Sequence, residues 1–259
     1  MVKLSVNVNK VATLRNSRGG AVPSVLEAVE VCVRAGAQGI TVHPRADERH
    51  IRPKDVTEIA ARLAPLRGTV EFNIEGDPRP ALVDLVLAAR PDQCTLVPVI
   101  EGEITSQAGW PADTSSEWLG GVVRQLQAAG IRVSLFIDAG EAPVRWAARL
   151  GADRIELYTE PFAKAFAASE LHGRESFTAY AAAARLAHSL GLGINAGHDL
   201  DLDNLVLFRT LPHLDEVSIG HAIISRALWV GLDRVVGEYL DVLRRHPPAP
   251  SAIPRNMIS

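Results

Sequence analysis

The chain has little cysteine and no long apolar run, and both absences narrow its class. Cys32 and Cys94 are the two cysteines among 259 residues, and they form neither a disulfide-rich scaffold nor a Cys/His metal motif. We expect a reducing, cytoplasmic compartment. The amino terminus alternates like a strand rather than forming the apolar stretch of a signal peptide, and no segment is long enough to span a bilayer. The sequence therefore predicts no membrane association.

An excess of positive charge is also missing. The chain carries 27 Lys and Arg residues against 30 Asp and Glu residues, for a net charge of −3. Sequence-independent binding to nucleic acid depends on neutralising phosphates with cationic side chains, so we expect no nucleic-acid partner. Hydrophobic residues make up 47% of the chain, which is enough for a large buried core.

What is present is an alternation of short apolar runs with longer amphipathic stretches. Four of the amphipathic stretches end in a glycine that leads directly into the next apolar run, which is typical of helix ends in α/β proteins. Eight such units in this length predict a (β/α)₈ barrel, with a doubly wound sheet as the alternative. The predicted strands are Leu4–Asn9, Gly39–His43, Thr69–Ile74, Gln93–Val97, Arg132–Ile137, Arg154–Tyr158, Gly193–Ala196 and Glu216–Ile219.

Three segments exceed the minimal pattern, and each follows a predicted strand. Lys10–Val22 and Pro98–Thr114 are interpreted as long polar loops, whereas Pro161–Leu171 is interpreted as an extra helix. Long loops on this side of a barrel are usually functional. We expect residues 1–245 to form a single domain and the proline-rich residues 246–259 to be a disordered tail.

Polar side chains collect where the predicted strands end, which is where barrel enzymes place their chemistry. His43 and His198 occupy equivalent strand ends, and with Glu71 and Glu156 they suggest acid–base catalysis. If Glu71 points inward from its apolar run, its pKa should rise and suit it to abstract protons. The alternative is that it points outward and pairs with an arginine, and the direction of Glu156 is equally open.

Phosphate binding is suggested at Gly220-His221, because a glycine directly after the last strand allows backbone N–H groups to approach an anion. A second anion site is open to two pairs, Arg45 with His50 or Arg15 with Arg18, and a solvated charged rim is the alternative reading. Metal binding is disfavoured. Barrel hydrolases that bind a metal commonly have His-x-His at the end of the first strand, where this chain has Asn7-Val8-Asn9. Nucleotide-binding glycine motifs are missing from the expected contexts, so neither ATP nor NAD is indicated.

Several of these segments together resemble one family, the pyridoxine 5′-phosphate synthases. The resemblance extends from about Leu4 to about Leu243, and the order of its motifs makes it specific. The segments that carry it are Asn7-Val8-Asn9-Lys10-Val11-Ala12-Thr13-Leu14-Arg15-Asn16-Ser17-Arg18-Gly19, Gly39-Ile40-Thr41-Val42-His43-Pro44-Arg45, Val133-Ser134-Leu135-Phe136-Ile137-Asp138, Asn195-Ala196-Gly197-His198 and Ile219-Gly220-His221-Ala222-Ile223-Ile224.

This resemblance implies a (β/α)₈ barrel with extra helices, assembled as a homo-octamer that is a tetramer of dimers. It implies condensation of 3-amino-2-oxopropyl phosphate with 1-deoxy-D-xylulose 5-phosphate, yielding pyridoxine 5′-phosphate, inorganic phosphate and water, without a metal or cofactor. It implies that His43 and Glu71 accept protons, that His198 donates one, and that Glu156 stabilises the transition state. The substrate-binding residues that it implies are Asn7, Arg18, Gly220 and His221 for the aminoketone phosphate, and Arg45, His50 and Thr105 for the pentulose phosphate. We also expect Asn9, Lys10 and Asp199 to bind substrate, although the chain departs from the family pattern there.

The chain departs from the usual pattern of that family at several places. Asn9-Lys10 stands in place of Asp-His, Asp199 in place of glycine, and Tyr158-Thr159-Glu160 in place of His-Thr-Gly. These exchanges alter the pentulose side of the expected site. Two other functions therefore stay open: a paralogous phosphosugar aldolase or isomerase that uses Lys10 as a Schiff base, and a non-catalytic barrel that binds phosphorylated metabolites.

Overall fold

The computed structural model describes residues 1–98 and 108–244, and its centre is a closed barrel of eight parallel strands. Each strand pairs with the next one along the chain, and the last closes the ring by pairing with the first. The barrel confirms the predicted fold class and excludes the doubly wound sheet. The strands are β1 (Lys3–Asn7), β2 (Gly39–Val42), β3 (Glu71–Gly76), β4 (Gln93–Leu96), β5 (Arg132–Ile137), β6 (Arg154–Tyr158), β7 (Gly193–His198) and β8 (Leu214–Ile219).

Helices surround the barrel, and some of them follow strands directly. The extra helix predicted after β6 is confirmed. The segment after β1 begins with a helix, so the interpretation of Lys10–Val22 as a polar loop is wrong over its first half. The helices in the described ranges are α1 (Asn9–Asn16), α2 (Val25–Arg34), α3 (Pro53–Leu63), α4 (Pro80–Ala89), α5 (Ser116–Ala128), α6 (Glu141–Leu150), α7 (Glu160–Ala168), α8 (Glu170–Ser189), α9 (Leu205–Phe208), α10 (His221–Val230) and α11 (Leu232–Arg244).

Local sequence signals explain where many helices begin and end. Ser24 caps α2 by accepting a hydrogen bond from the backbone N–H of Glu27 over 3.2 Å. Gly36 and Gly151, which follow α2 and α6, have φ of +101° and +78°. Other residues adopt this left-handed backbone only with strain, so glycine lets each helix stop and the chain turn into the next strand.

Alternation along the strands divides the barrel wall into an apolar outside and a polar inside. Outward side chains such as Leu4 and Val6 are fully buried against the helices. Inside the barrel, the hydroxyls of Ser5 and Thr41 form a hydrogen bond of 2.7 Å. An unpaired buried polar group costs free energy, so such hydrogen bonds are needed to stabilise a polar interior. The barrel can therefore hold polar and ionisable side chains along its axis.

Two further expectations concern membrane-spanning helices and the carboxyl-terminal tail. None of the helices in residues 1–98 and 108–244 is both long enough and apolar enough to cross a membrane. The predicted tail, residues 246–259, lies outside the described residues, and so does Thr105.

Candidate active site

A cavity of about 450 Å³ opens at the carboxyl end of the barrel. Every strand contributes to its wall, either directly or through the segment that follows it. This is the end at which barrel enzymes carry their active sites. The cavity is lined by Asn7, Asn9, Lys10, Thr13, His43, Arg45, Arg49, His50, Glu75, Val97, Phe136, Glu156, Glu160, His198, Asp199, Ser218, Gly220 and His221.

Two buried carboxyl groups form the floor of this cavity. Glu75 lies near the end of β3, and burial together with the neighbouring Glu216 raises its pKa to about 8. Burial and the charge of Glu75 likewise raise the pKa of Glu156 on β6, whose carboxyl accepts a hydrogen bond of 3.4 Å from Thr95. Carboxyl groups with raised pKa values can both take up and release protons near neutral pH. The cavity therefore has acid–base chemistry at its base.

A chain of hydrogen bonds holds one side of the cavity in place. Asn7 donates from its side-chain amide to Glu75 over 3.3 Å and accepts from the backbone N–H of Asn9 over 3.0 Å. The side chain of Asn9 in turn accepts from the backbone N–H of His43 over 2.9 Å. Asn7 and Asn9 therefore connect the ends of β1, β2 and β3 and fix the positions of Glu75 and His43.

His43 is a buried, neutral imidazole in this wall. Burial, then the neighbouring His50, Arg45 and Arg79, lower the pKa of His43 to about 3. Its Nε2 atom is buried and has no hydrogen-bond partner in the described part of the chain. Buried polar atoms of folded proteins are nearly always paired, so an unpaired nitrogen in a cavity wall is suited to meet a ligand.

Cationic side chains gather beside His43. Lys10, Arg45 and Arg49 all line the cavity together with His50. The Nδ1 atom of His50 accepts a hydrogen bond of 2.9 Å from the backbone N–H of Ile51, which leaves the proton of the neutral ring on Nε2. Burial and the charges of Arg45 and Lys10 lower the pKa of His50 to about 4. This side of the cavity suits an anionic group.

The other side of the cavity ends at the amino terminus of a helix. Gly220 precedes α10, which begins at His221. A Cβ atom at Gly220 would lie only 3.0 Å from the backbone oxygen and the Cβ of Asn7, so only glycine fits without movement. Free N–H groups and the helix dipole favour anions at such a terminus. The cavity thus has two separate regions suited to anions, with the carboxyl groups and histidines between them.

The remaining wall carries His198 and Asp199, at the end of β7. The Nδ1 atom of His198 lies 2.5 Å from Oδ2 of Asp199. The ring also makes an edge contact with Tyr158, whose hydroxyl donates a hydrogen bond to Glu160. The predicted substrate-binding residue Asp199 thus lines the cavity and contacts His198 directly.

The prediction for Glu71 is wrong. Glu71 is the first residue of β3, so it lies at the amino end of the barrel, opposite the cavity. Its carboxylate forms ion pairs with Lys3 and with Arg132. Although burial opposes ionisation, hydrogen bonds from these two cations lower the pKa of Glu71 to about 2. Glu75, four residues later, is the carboxyl group of β3 that reaches the cavity.

The predictions for the arginines of the first excursion also need correction. Arg18 is exposed beyond the end of α1 and does not contribute to the cavity wall in the described ranges. Arg15 is buried and forms a two-pronged ion pair with Asp55 over 2.5 and 2.9 Å. A guanidinium already paired with a carboxylate does not attract a second anion strongly. Of the alternatives for the second anion site, Arg45 with His50 is the pair that lines the cavity.

Seven lining residues were not among the predicted ones, and they include Thr13, Arg49, Glu75 and Glu160. The sequence did contain a signal for Glu75, because this residue directly follows the predicted strand Thr69–Ile74. Thr13 lies on α1, Arg49 on the loop after β2 and Glu160 on α7. A search confined to the strand ends does not find these three residues. Among the described residues, no group of three or more His, Cys, Asp or Glu side chains is arranged to hold a metal ion.

The sequence of the chain is similar to those of known proteins over nearly its whole length. The family model described as "Pyridoxal phosphate biosynthesis protein PdxJ" matches residues 4–245. The chain is 52% identical over 245 residues to the pyridoxine 5′-phosphate synthase of Christiangramia forsetii, covering 94% of this chain and 100% of that protein. It is also 52% identical over 244 residues to the enzyme of the same name from Porphyromonas gingivalis, covering 94% and 99% of the two chains.

Two solved structures that resemble the barrel are much more distant in sequence. The 3-hexulose-6-phosphate synthase of Salmonella typhimurium superposes with a TM-score of 0.63 at 16% identity, covering 93% of this chain and 98% of the other. Phosphoribosylanthranilate isomerase from Thermotoga maritima gives a TM-score of 0.58 at 12% identity, covering 94% and 98%. At this level of identity the likeness supports the fold alone.

Proposed function

The chain belongs to the PdxJ family of pyridoxal phosphate biosynthesis proteins, and we propose that it condenses 3-amino-2-oxopropyl phosphate with 1-deoxy-D-xylulose 5-phosphate to form pyridoxine 5′-phosphate, phosphate and water. The observation that carries this proposal is one cavity with two separate regions suited to anions. Between them lie Glu75, Glu156, His43 and His198. The condensation of two phosphorylated substrates needs a binding region for each phosphate and acid–base groups between the two regions.

The two phosphates are assigned to the two anion-binding regions. The aminoketone phosphate is placed at the start of α10, against Gly220, His221 and Asn7. The pentulose phosphate is placed against Arg45 and His50, where Lys10 adds positive charge. Arg49 also lines this wall, with its guanidinium in an ion pair with Asp47. This orientation brings the substrate amine and the pentulose ketone together over the buried carboxyl groups.

Proton transfers are assigned to the residues between the phosphates. The substrate's own amine forms the imine with the ketone, so no nucleophile from the protein is needed. Glu75 replaces Glu71 as the proposed general base for carbon and hydroxyl positions, since its raised pKa suits proton transfer near neutral pH. His43 assists through its unpaired Nε2, His198 protonates the leaving water or phosphate, and Glu156 stabilises the charge that develops.

Assembly and location are part of the same proposal. We propose the homo-octamer that is usual for this family, a tetramer of dimers, and a cytoplasmic location. The exposed apolar side chains of Leu228 and Trp229 on α10, 67% and 86% exposed, support burial against another copy. The free, buried thiols of Cys32 and Cys94 suit a reducing compartment. Light scattering coupled to gel filtration gives the mass; a monomer would contradict the octamer.

Incubating the purified protein with both substrates tests the function. We expect pyridine absorbance and inorganic phosphate to appear together in equal amounts, and each substrate alone to give neither. Tight binding of both compounds without release of phosphate would favour the non-catalytic barrel and contradict the proposal.

The aldolase alternative is favoured by one observation, the position of Lys10 in the cavity wall beside His50. A lysine in such a place can form a Schiff base with a ketone. Borohydride reduction in the presence of each substrate, followed by peptide mass analysis, separates the two mechanisms. A stable adduct at Lys10 would support the aldolase, whereas the proposed synthase leaves Lys10 unmodified and continues to turn over in a Lys10→Arg variant.

A further inference from the structure

The backbone and ring of His198 are held in an unusual position. His198 has φ of +103°, a conformation that residues other than glycine rarely adopt. The flanking chain is fixed by Thr159, whose hydroxyl donates to the carbonyl of Gly197 over 2.8 Å and accepts from the backbone N–H of Asp199 over 3.3 Å. Strained backbone that neighbouring contacts enforce is found preferentially at functional sites. The strained backbone of His198 therefore directs its imidazole ring towards the cavity.

The contact with Asp199 decides which ring nitrogen faces the cavity. Nδ1 of His198 lies 2.5 Å from Oδ2 of Asp199, while Nε2 has no hydrogen-bond partner in residues 1–98 and 108–244. An ionised carboxylate only accepts hydrogen bonds, so the proton of a neutral ring must sit on Nδ1. Burial opposes ionisation of Asp199, but the hydrogen bond from His198 lowers its pKa on balance. The carboxylate therefore stays charged beside the ring.

Other charged and titratable groups face this pair from the neighbouring elements. Tyr158 makes an edge contact with the His198 ring at 5.3 Å between centroids. Glu160 accepts from the Tyr158 hydroxyl and forms an ion pair of 2.8 Å with Lys164. His221 approaches Asp199 from α10. None of these groups bonds to the His198 ring nitrogens, so Asp199 alone among the described residues fixes the tautomer.

We propose that Asp199 is a positioning residue: it holds the proton of His198 on Nδ1 and thereby presents Nε2 to the substrates as the site of proton donation. This rests on the proposed function of the cavity. In the step concerned, the ring first takes up a second proton on Nε2 from water, and this N–H bond then breaks as an O–H bond forms on the departing oxygen. The ring is left neutral with its remaining proton on Nδ1, and the Asp199 carboxylate stabilises the charged ring beforehand.

Asp199→Asn tests this role while keeping the shape of the side chain. We expect kcat to fall about 10- to 100-fold, with KM for both substrates little changed, because the imidazole remains but loses its fixed tautomer and its neighbouring charge. An unchanged kcat in the folded variant would overturn the proposal.

Asp203→Asn is the matched control. It removes the same charge from the same loop, and Asp203 is exposed with no contact to His198. We expect its kcat and its KM values to equal those of the wild type. A fall in kcat as large as that of Asp199→Asn would mean that loss of charge in the loop, rather than the contact with His198, sets the rate, and the proposal would fail.

A spectroscopic measurement makes the test independent of turnover. With ¹⁵N-labelled histidine, the wild-type protein should show one ring with its proton on Nδ1 in a short hydrogen bond, and the far-downfield proton signal should vanish in Asp199→Asn. A wild-type His198 ring protonated only on Nε2 would overturn the inference. If instead the wild type showed the expected signal but made no pyridine product, the proposed function would fail while the assignment for Asp199 stood.

Discussion

The side-chain amide of Asn7 on β1 donates a hydrogen bond of 3.3 Å to Oε2 of Glu75 on β3. This contact crosses the mouth of the barrel, because β2 lies between the two strands. The amide of Asn7 thereby orients the carboxyl group of Glu75, whose pKa is raised to about 8 by burial and by Glu216. The pair therefore places a proton acceptor in the cavity and connects it to the backbone of β1.

Gly220→Ala is predicted to weaken binding of the aminoketone phosphate. The new methyl group would meet the backbone oxygen and the Cβ of Asn7 at 3.0 Å, so the start of α10 or the end of β1 must move. A shift at a helix terminus disturbs the N–H groups that face the anion. We expect KM for this substrate to rise about tenfold, equivalent to about 1.4 kcal/mol, with a smaller effect on KM for the pentulose.

Gly237→Ala in α11 is the control for that variant, since a Cβ at this position meets no atom within 4 Å. Alanine is the better helix former by about 1 kcal/mol, so the control should be as stable as the wild type or more so, with unchanged KM. Equal KM values in the two glycine variants would contradict an anion site at Gly220.

Glu71 is predicted to stabilise the fold in a pH-dependent way. Its carboxyl ionises with a pKa of about 2 in the folded protein, against 4.5 for a free side chain. A lowered pKa stabilises the folded state above the unfolded value, and this contribution is lost as the pH falls through the folded value. Glu71→Gln should therefore lower the free energy of unfolding at pH 7. We expect a decrease of about 1–2 kcal/mol, because the ion pair with Lys3 is partly exposed and is weakened by water.

Urea unfolding of the wild type and Glu71→Gln between pH 7 and pH 2 measures this difference. It should stay constant above about pH 4.5 and shrink towards pH 2, where both proteins carry a neutral side chain at this position. A difference that does not change with pH would mean that the ion pairs with Lys3 and Arg132 contribute little.

Glu216 is predicted to have the opposite pH dependence. Burial and the charge of Glu71 raise its pKa to about 8, so the folded protein keeps a proton that the unfolded chain loses above 4.5. The resulting stabilisation is complete below the unfolded value and is lost as the pH rises from about 4.5 to about 8. Glu216→Gln should therefore become more stable relative to the wild type at pH 9 than at pH 5.

Glu117→Gln, an exposed substitution on α5, is the control for that comparison. Its stability relative to the wild type should not depend on pH over the same range. If Glu216→Gln behaved like this control in urea unfolding, the Glu216 carboxyl would be ionised in the folded protein at neutral pH. That result would contradict its raised pKa.

The sequence predicted the barrel well because its signals are repeated along the chain. β5 (Arg132–Ile137) and β6 (Arg154–Tyr158) have the predicted bounds, and the glycines after α2 and α6 have the predicted left-handed backbone. α1 was missed because its residues are mostly polar and only part of its surface is buried. A helix whose apolar stripe is this narrow has little periodic signal.

The error at β3 shows what alternation alone cannot decide. Residues two apart face the same side of a strand, so Glu71, Asn73 and Glu75 are equivalent by alternation. They differ in height along the barrel, which depends on where the strand begins. The strand was predicted to begin at Thr69, whereas it begins at Glu71 and runs to Gly76. That shift of two residues moves the carboxyl group of Glu71 to the amino end and brings Glu75 to the cavity.

The most direct test is the turnover of both substrates by the wild type, Glu75→Gln and Glu71→Gln, with pyridine product and phosphate recorded in the same assay at pH 7. We predict equimolar product and phosphate from the wild type, a kcat about 10²–10⁴-fold lower in Glu75→Gln, and a wild-type kcat in Glu71→Gln. Loss of activity in Glu71→Gln with activity retained in Glu75→Gln, or no product from the wild type, would contradict the account.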